Sequence, residues 1–262
     1  MGVKDLLEAA VQAAEAGGRI LIRGFGTLSP QDAVAKSPTD IVTRWDTASE
    51  EEIVSRLKNA FPDHGFLAEE AGASGSGRFL WIIDPLDGTK NFFRGLPVFA
   101  VSVALAVDRE IVLGVVHDPV NRVNYTAIKG MGAFANGESI RVSGRQHLHG
   151  AFLSTGFPHR RKQDMEAFLR SFKFFFNESL SVRRLGAAAI DLAHVASGIY
   201  DGFWEFGLYP WDVAAGYILV KEAGGVMTDF HGKQNFLEPC SVLAGTPAVH
   251  GEMLKVLQDI VG

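Results

Sequence analysis

The sequence predicts an α+β fold in the first half of the chain and an α/β fold in the second half. Apolar residues recur at helical spacing near the start, short β-rich runs follow from about residue 79, and strand and helix patterns alternate after about residue 144. No repeat, low-complexity tract or long linker separates the halves. We therefore expect one compact unit of two lobes, residues 1–145 and residues 146–262.

The first lobe is expected to begin with helices and to continue as an antiparallel sheet. Helical spacing extends over Asp5–Phe25 and Asp46–Ala60, and the polar stretch Lys36–Thr43 between them is predicted to be an exposed, mobile loop. A hairpin is predicted at Asn136 and Gly137, because both positions of such a turn need a positive φ. The other β-rich runs predict a meander of strands at Phe79–Ile83, Val98–Val107, Ile111–His117 and Val123–Ile128.

The second lobe alternates between strand and helix patterns, which is typical of α/β folds. Strands are predicted at Ala151–Thr155, Asp201–Phe206 and near Val182, Val226 and Val242. Helices are predicted at Asp164–Phe176, Ala187–Ala196, Asp212–Ala223 and at the end of the chain.

Composition and charge exclude several classes of function. The 262 residues carry a formal net charge of −5, which argues against a nucleic-acid ligand without forbidding one. Cys240 is the single cysteine and cannot form an internal disulfide, so a reducing cytoplasm is expected. The first residues lack a signal-peptide core, and the longest apolar run, Gly95–Val107, is too short to span a membrane. We expect a soluble cytoplasmic protein with no membrane partner.

One acidic turn stands out in the first lobe. The apolar run Trp81-Ile82-Ile83 leads into Asp84-Pro85-Leu86-Asp87-Gly88-Thr89. Proline stops strand pairing and glycine lets the backbone approach a ligand, so both aspartates can face one pocket. The N–H groups of residues 88–90 would open a helix and bind a phosphate.

Two further acidic positions follow apolar residues in the same way. Glu69 and Glu70 come after Phe66-Leu67-Ala68, and Asp212 comes after Trp211 at the start of a predicted helix. Taken singly, each position has a purely structural interpretation: a solvated strand end for the glutamates, an N-cap for Asp212, and an ordinary turn for the Asp84 segment. Only their combination indicates a functional site.

These segments together resemble the inositol monophosphatase family. The Asp84 turn, followed by Asn91-Phe92, is similar to the first signature of that family, and Trp211-Asp212-Val213-Ala214-Ala215-Gly216, running to Gly225, is similar to the second. Further similar segments are Lys36–Thr43 with Asp46, Phe66–Glu70, Arg183–Ala189 and Glu205. Two departures are Ala68, where the family usually has glycine, and Ala187, where a serine or threonine is common.

The resemblance implies a fold and a metal site. The implied fold is the layered αβαβα sandwich of Mg²⁺-dependent sugar phosphatases. Glu69, Asp84 and the Leu86 carbonyl would hold a first Mg²⁺, Asp84, Asp87 and Asp212 a second, and Glu69 a weaker third ion. The residue types agree with this assignment, because oxygen ligands without histidine or thiolate select Mg²⁺ over zinc.

The chemistry implied is hydrolysis of a phosphate monoester by a metal-activated water. Glu69, and Thr89 linked to Asp46, would orient that water as the catalytic residues. Arg183 and Glu205 are expected to contact substrate, and the alternative interpretation of these two residues is a surface ion pair. The residues expected to contact substrate are Asp87, Gly88, Thr89, Arg183, Gly186, Ala187, Ala188, Glu205 and Asp212.

The resemblance implies that the substrate is a phosphorylated polyol or sugar, and it leaves open which one. Inositol 1-phosphate is the first choice, and fructose 1,6-bisphosphate, histidinol phosphate and 3′-phosphoadenosine 5′-phosphate are the alternatives on the same scaffold. Lithium sensitivity and a homodimer are implied by the resemblance alone. Bacterial relatives can act as accessory proteins of transcription, so a binding protein that associates with RNA polymerase stays open as a different class.

Three weaker signals have simpler interpretations. His147 and His149 are expected in a solvated loop. The basic run His159–Lys162 is interpreted as a solvated helix start, with a phosphate-rich substrate or a protein partner as the alternative. The phenylalanines between Phe168 and Phe176 are expected in a core or a subunit interface, and Cys240 is expected to be buried.

Overall fold

The computed structural model describes residues 2–37 and 40–261. Pro38 and Thr39, which belong to the predicted loop, lie outside the described residues. The helices are α1 (Val3–Gly24), α2 (Arg44–Ala60), α3 (Thr89–Phe93), α4 (Met165–Glu178), α5 (Ala188–Ala196), α6 (Pro210–Glu222) and α7 (Pro247–Val261), with short 3₁₀ turns at Pro30–Asp32 and Lys162–Asp164.

Fifteen strands are present in the described part of the chain. Those of the first lobe are β1 (Ala33–Ser37), β2 (Asp40–Thr43), β3 (Gly65–Ala68), β4 (Gly72–Ser74), β5 (Phe79–Asp87), β6 (Ala100–Val107), β7 (Glu110–Asp118), β8 (Val123–Ile128), β9 (Gly132–Ala135) and β10 (Glu138–Ile140). Those of the second lobe are β11 (Phe152–Thr155), β12 (Ser181–Arg183), β13 (Gly202–Leu208), β14 (Val226–Thr228) and β15 (Cys240–Gly245).

Two large sheets organise the structure. The first has the order β10-β9-β8-β7-β6-β5-β3-β4, and every neighbouring pair is antiparallel except β3 and β5. The predicted meander is therefore confirmed. The second sheet has the order β12-β11-β13-β15-β14, with β11 parallel to both of its neighbours. The α+β first half and the α/β second half are both confirmed.

Helices cover and separate the sheets to give five layers. Helices α1 and α2 pack on one face of the eight-stranded sheet, and α6 packs on its other face. Helix α5 contacts strands of both sheets, so α5 and α6 form the layer between them. Helices α4 and α7 contact each other and the outer face of the five-stranded sheet. This is the αβαβα sandwich that the resemblance implied. The boundary near residue 145 stays a prediction.

The local predictions had different outcomes. The hairpin at Asn136 and Gly137 is confirmed, with φ values of 48° and 85°. The loop predicted at Lys36–Thr43 is wrong for the described residues, because β1 and β2 form an antiparallel pair in which Val34 faces Val42. Val34, Ile41, Val42 and Thr43 are β-branched residues, which favour strands.

A glycine in the first sheet sets the position of α6. An added Cβ at Gly114 would lie 2.8 Å from the backbone of Ala215 and 2.6 Å from Cγ2 of Ile218. Only glycine therefore lets α6 pack this closely on β7. The Ser102 hydroxyl on β6 also donates to the Trp211 carbonyl at 3.1 Å, which holds the first turn of α6 against the sheet.

The residues of the weaker sequence signals differ in their exposure to solvent. The side chains of His147 and His149 are 79% and 87% exposed. Phe168 and Phe175 are buried, whereas Phe176 is 62% exposed. Cys240 was expected to be buried and is only partly so. The described part of the chain has no helix with the length and apolar character that a membrane span requires.

Candidate active site

The end of β5 carries two acidic side chains into one cavity. Pro85 has no N–H to donate, and the pairing of β5 with β6 shifts register between Asp84 and Asp87. Oδ1 of Asp84 accepts the N–H of Leu86 at 2.9 Å. Oδ2 of Asp87 accepts the N–H of Ala189, near the start of α5, at 2.7 Å. Backbone amides therefore orient both carboxyls.

Gly88 follows this pair and has a structural requirement of its own. Its φ is +91°, and an added Cβ would lie 2.9 Å from the Val98 oxygen and 3.3 Å from Cβ of Ala187. A side chain at this position would therefore be both strained and obstructed. Ala187 is buried behind the glycine and does not line the cavity. The binding of a phosphate by the Gly88 backbone stays a prediction.

Glu69 reaches the same cavity because β3 runs parallel to β5. The residue follows the last residue of β3, and its N–H donates to the Ile83 carbonyl at 3.1 Å. The next two N–H groups, of Glu70 and Ala71, donate to the carboxylate of Glu50 at 2.8 and 2.7 Å. Glu50 thus holds the turn that presents Glu69. Sequence reasoning missed Glu50, because an acidic residue inside an amphipathic helix is ordinarily solvated.

Glu70 has a different role from Glu69. Its carboxylate lies 2.5 Å from Nζ of Lys36, which is also 3.8 Å from Oε1 of Glu69. Only Glu69 of the two lines the cavity. Strand β1, which ends in the segment predicted as a loop, is therefore attached by an ion pair to the turn that follows β3.

Asp212 is the third residue of α6, so the N-cap interpretation is wrong. Tyr209 is the N-cap, and its N–H donates to Oδ2 of Asp212 at 2.8 Å. The same oxygen lies 2.6 Å from Nη1 of Arg160, whose Nη2 is 3.9 Å from Oε1 of Glu69. The Arg160 guanidinium also lies 4.8 Å from the Tyr209 ring centre. An arginine thus lies between two of the acidic residues.

The hydroxyl of Thr89 links the acidic turn to α2. It lies 2.9 Å from Oδ1 of Asp46 and 3.0 Å from the Leu86 carbonyl oxygen. The other carboxylate oxygen of Asp46 accepts the N–H and the hydroxyl of Thr43 at 2.9 and 2.6 Å. Burial raises the pKa of Asp46 to about 6, against the lowering effect of the Thr43 and Thr89 hydrogen bonds.

The cavity has a volume of about 110 Å³. We call the four acidic residues Glu69, Asp84, Asp87 and Asp212, which all line it, the acidic floor. Arg183 was predicted to contact substrate, but its guanidinium lies over the Phe152 ring at 4.9 Å and Arg184 lines the cavity instead. The lining residues are Asp40, Glu69, Asp84, Leu86, Asp87, Gly88, Thr89, Lys90, Phe157, His159, Arg160, Arg184, Gly186, Ala188, Glu205, Phe206, Gly207, Leu208 and Asp212.

Sequence reasoning missed several members of this lining. Asp40 and Arg184 lie within segments that resemble the family but were given no role, Phe157 lies in none of these segments, and Lys90 was considered only for its backbone. His159 and Arg160 belong to the basic run that was interpreted as a solvated helix start, with a phosphate-rich substrate or a protein partner as the alternative. These two residues form a turn that lines the cavity, and Lys162 begins the 3₁₀ turn that precedes α4. The charge of the run was the available signal for this role.

Glu205, on β13, also lines the cavity. Its carboxylate packs against Gly156, where an added Cβ would lie 2.0 Å from Cδ of Glu205. Burial raises the pKa of Glu205 to about 8, with added repulsion from Asp212 and Asp87. Within the described ranges, neither Glu205 nor Arg183 forms the surface ion pair that was the alternative interpretation.

The pKa values of the floor carboxyls show that negative charge is poorly compensated there. Burial is the main cause, and it raises the pKa of Glu69 to about 8 and that of Asp87 to about 7. Asp212 adds repulsion to both. The pKa of Asp84 also lies well above its usual range, through burial and then its acidic neighbours. A divalent cation would favour the ionised form of each group.

The donor set fits Mg²⁺ in its chemistry. Six acidic residues and Leu86 line the cavity, and four of the six are the predicted ligands Glu69, Asp84, Asp87 and Asp212. Hard oxygen donors of this kind suit Mg²⁺. Among the residues that the structure describes, no three acidic, histidine or thiol groups are gathered tightly enough to enclose a metal ion. The positively charged group beside Asp212 and Glu69 is the guanidinium of Arg160.

Comparison with known proteins identifies the family. Residues 3–261 match the model of the Inositol monophosphatase family. The chain belongs to the inositol monophosphatase family. Membership supports Mg²⁺-dependent phosphatase chemistry on this scaffold, and the resemblance inferred from the sequence is confirmed.

Relatives within the inositol monophosphatase family have different names. The Nus factor SuhB of Pseudomonas aeruginosa is 43% identical over 262 residues, covering 98% of this chain and 97% of that one. The inositol-1-monophosphatase of Mesorhizobium japonicum is 43% identical over 260 residues, covering 98% of each. The crystal structure of the extragenic suppressor protein SuhB from Bartonella henselae has a TM-score of 0.92 at 39% identity, covering 97% of this chain and 98% of that one.

Proposed function

We propose that this protein hydrolyses a phosphate monoester with the help of Mg²⁺, and that inositol 1-phosphate is its substrate. One observation carries the proposal: four acidic residues from three separate segments of the chain, Glu69, Asp84, Asp87 and Asp212, line one cavity. The Thr89–Asp46 hydrogen bond lies beside them. A paired carboxylate site next to a positioned hydroxyl is what metal-assisted hydrolysis requires.

The acidic floor supports the assignment of metal ligands. Glu69, Asp84 and the Leu86 carbonyl would hold a first Mg²⁺, and Asp84, Asp87 and Asp212 a second, with a third ion near Glu69. Magnesium ions, when bound, supply an acidified water and charge stabilisation for the phosphoryl group and the leaving oxygen. The register shift in β5 supports the assignment, because Asp84 and Asp87 can then share an ion.

The protein groups orient the attacking water. When the Thr89 hydroxyl donates to Oδ1 of Asp46, its lone pairs can accept a hydrogen bond from that water. The Glu69 carboxylate can accept the proton that the water loses. The water oxygen forms a new bond to phosphorus, the ester P–O bond opposite it breaks, and the alcohol oxygen leaves.

The remaining site residues would bind substrate. The N–H groups after Asp87 are proposed to bind phosphate oxygens, and the carboxylates of Glu205 and Asp212 to accept hydrogen bonds from substrate hydroxyls. Gly186 and Ala188 line the same wall. Arg183 and Ala187 were also predicted to contact substrate, but they lie outside the cavity lining, so we do not carry them into the proposal.

The test is phosphate release from four substrates with Mg²⁺ added and then chelated. The panel is inositol 1-phosphate, fructose 1,6-bisphosphate, histidinol phosphate and 3′-phosphoadenosine 5′-phosphate. We expect turnover of inositol 1-phosphate that chelation stops. Strong turnover of another member in its place would overturn the substrate assignment and keep the chemistry, and no turnover by folded protein would overturn the enzyme assignment.

A binding role in transcription is the second candidate, because a relative at 43% identity is named Nus factor SuhB. The presence of all four predicted metal-binding carboxyl groups in the cavity favours an enzyme over a binding protein. Immobilised protein that retains RNA polymerase from a cell extract, with no turnover of the panel, would favour the binding role.

We further propose a cytoplasmic, lithium-sensitive homodimer. Family membership supports the lithium sensitivity and the dimer, and the single cysteine supports the cytoplasmic location. Exposed apolar side chains on and after α4 also support the dimer, since Leu169, Phe176 and Leu180 are 50%, 62% and 74% exposed. Sedimentation velocity is expected to show a dimer that Phe176→Ser weakens. Inhibition of phosphate release by LiCl, but not by NaCl, tests the lithium sensitivity.

Arg160→Met is expected to tighten Mg²⁺ binding. The guanidinium neutralises Asp212 at 2.6 Å, so a cation that binds there must displace it. In the variant Mg²⁺ no longer has to break this partly buried ion pair, so its affinity for the site is expected to rise about tenfold. Calorimetric titration with MgCl₂ measures the change. Arg161→Met is the matched control, because Arg161 pairs with Asp164 outside the cavity. Equal affinities in the two variants would contradict the displacement.

The metal-free protein is expected to lose stability between pH 6.5 and pH 8.0. Glu69, Asp87 and Glu205 have folded pKa values of about 8, 7 and 8, well above those of unfolded carboxyls. The folded state therefore binds more protons in this window, and the free energy of unfolding falls as pH rises. Buried histidines such as His250, with a pKa lowered by burial to about 4, do not titrate there.

Thermal unfolding in chelator measures this effect. The Tm is expected to fall by a few degrees from pH 6.5 to pH 8.0, and saturating Mg²⁺ should remove most of the decrease. Glu205→Gln should reduce the slope, because one of the raised groups is then absent. A Tm that rises with pH in chelator would show that the floor carboxyls are already compensated.

A further inference from the structure

A groove of about 820 Å³ lies over the second half of α1. Residues of α1, of α2 and of the segment that joins β7 to β8 line it, and none of them lines the acidic cavity. Four arginines are among these residues: Arg19, Arg23, Arg56 and Arg122. We call this feature the arginine groove.

Two of the four arginines have carboxylate partners within the groove. Nη1 of Arg19 lies 3.8 Å from Oε2 of Glu15, and Nε of Arg56 lies 2.6 Å from Oε1 of Glu52. Both glutamates line the groove as well. Glu15 has a further partner, because the side-chain amide of Asn124 donates to its Oε1 at 2.8 Å. The glutamates of the groove are therefore already engaged.

Arg23 and Arg122 are the cations that lack a carboxylate partner. Within residues 2–37 and 40–261, neither guanidinium has a carboxylate oxygen within 4.0 Å. Both residues are exposed. His117 also lines the groove, but burial lowers its pKa, so it adds no charge at neutral pH. With four arginines and two glutamates, the lining carries a formal charge of +2 on a chain whose net charge is −5.

Apolar side chains accompany these charges. Ile22 is 44% exposed, and it lines the groove together with Ile20, Pro119 and Val120. Among the described residues of the lining, none is a phenylalanine, tyrosine or tryptophan. Protein interfaces combine apolar contacts with arginines, whereas proteins bind single-stranded nucleic acid by stacking its bases on aromatic side chains. The two glutamates would also repel a continuous phosphate backbone. The lining therefore favours a peptide over a nucleic acid.

We propose that the arginine groove binds an acidic peptide segment of a partner protein. Carboxylates of the segment pair with Arg23 and Arg122, because a guanidinium binds a carboxylate through two parallel N–H donors. Apolar residues between the acidic ones contact Ile22 and Val120. None of the residues that we assign to catalysis or to metal binding lines the groove, so the segment binds apart from the phosphatase site. The inference goes beyond the proposed function and does not depend on it.

The test begins with selection of a peptide. A display library of random peptides of about 12 residues is selected on the immobilised full chain, and one selected peptide is synthesised with a fluorescent label. We expect the selected sequences to be enriched in aspartate and glutamate, with apolar residues between them. Fluorescence anisotropy then measures the affinity of the labelled peptide.

Substitutions locate the peptide on the chain. Arg23→Gln and Arg122→Gln are each expected to weaken binding about threefold, and the double variant about tenfold. Arg141→Gln is the matched control, because Arg141 is exposed and lies outside the groove lining. Thermal unfolding and phosphate release are expected to be the same in these variants as in the unaltered chain, because the substituted side chains are exposed and lie outside the acidic cavity.

Charge reversal separates a direct contact from an indirect effect. The double variant Arg23→Glu with Arg122→Glu should lose the acidic peptide. It should instead bind a version of the peptide in which lysine replaces every acidic residue. This exchange of preference requires that the two positions contact the charges of the peptide.

Each contrary outcome overturns a stated part of the inference. A selection without acidic enrichment overturns the partner class. Peptide binding that both glutamine variants retain in full, or that Arg141→Gln weakens equally, overturns the assignment to the groove. A single-stranded RNA of similar length that binds more tightly than the peptide, and that the same variants lose, would replace the peptide by a nucleic acid. All of these outcomes are measured by binding, so they are independent of the phosphatase assignment.

Discussion

Asp87→Asn is expected to abolish phosphate release while the fold stays intact. Asparagine has one neutral oxygen in place of a carboxylate, so it cannot neutralise the second Mg²⁺ that we assign to Asp87. Loss of a ligand from a two-metal site is expected to lower kcat by about 10³-fold or more. The side-chain oxygen of asparagine can still accept the Ala189 N–H that Asp87 accepts at 2.7 Å.

The fold should tolerate this change because the carboxyl is unfavourable in the metal-free chain. Burial raises the pKa of Asp87 to about 7, so a neutral group of the same shape avoids a penalty. Circular dichroism and thermal unfolding in chelator measure the fold, and phosphate release measures the activity. Asp118→Asn is a matched control, because Asp118 is 6% exposed, does not line the acidic cavity, and accepts hydrogen bonds from the Val120 N–H and from the backbone and side chain of Asn121. Undiminished hydrolysis by Asp87→Asn would refute the metal assignment.

Thr89→Ala is expected to lower kcat by about 10²-fold with little change in KM. The hydroxyl lies 2.9 Å from Oδ1 of Asp46 and is the group that we propose to orient the attacking water. Without this hydroxyl the water is poorly aligned with its proton acceptor Glu69, and aligned proton transfer contributes about 10²-fold to a reaction rate. Asp46 keeps both of its Thr43 hydrogen bonds in the variant, so the helix start of α2 should be preserved.

Thr89→Ser separates a chemical role from a packing role. Serine keeps the hydroxyl and loses only a methyl group, so we expect it to recover most of the activity that alanine loses. Steady-state phosphate release with saturating Mg²⁺ gives kcat and KM for both variants. Equal losses in the alanine and serine variants would show that the methyl group, and not the hydroxyl, is what the site requires.

Several site residues were predicted from the sequence because their signals are local. A strand that ends in Asp84-Pro85-Leu86-Asp87-Gly88-Thr89 specifies its turn through residues that are adjacent in the chain. Asn136 and Gly137 specify their hairpin for the same reason. The family resemblance, which rests on such local motifs, was confirmed over residues 3–261.

Other features depend on residues that are far apart in sequence. Arg160 lies beside Asp212 only because the turn before α4 crosses the start of α6, and no spacing rule links the two. Arg184, and not its neighbour Arg183, lines the cavity because the chain leaves β12 between them, and each guanidinium then lies on a different aromatic ring. Glu50 supports Glu69 through two backbone amides that follow β3.

The sequence by itself therefore determined the fold class, the family, and which acidic residues are candidates for the metal site. Apolar periodicity and turn residues act over a few positions, so they can be recognised without coordinates. Only the tertiary structure decided which charged groups meet in the cavity, where Lys90, His159, Arg160 and Arg184 line the same space as the acidic residues. Electrostatic interactions depend on distance and burial, and packing of separate segments sets both.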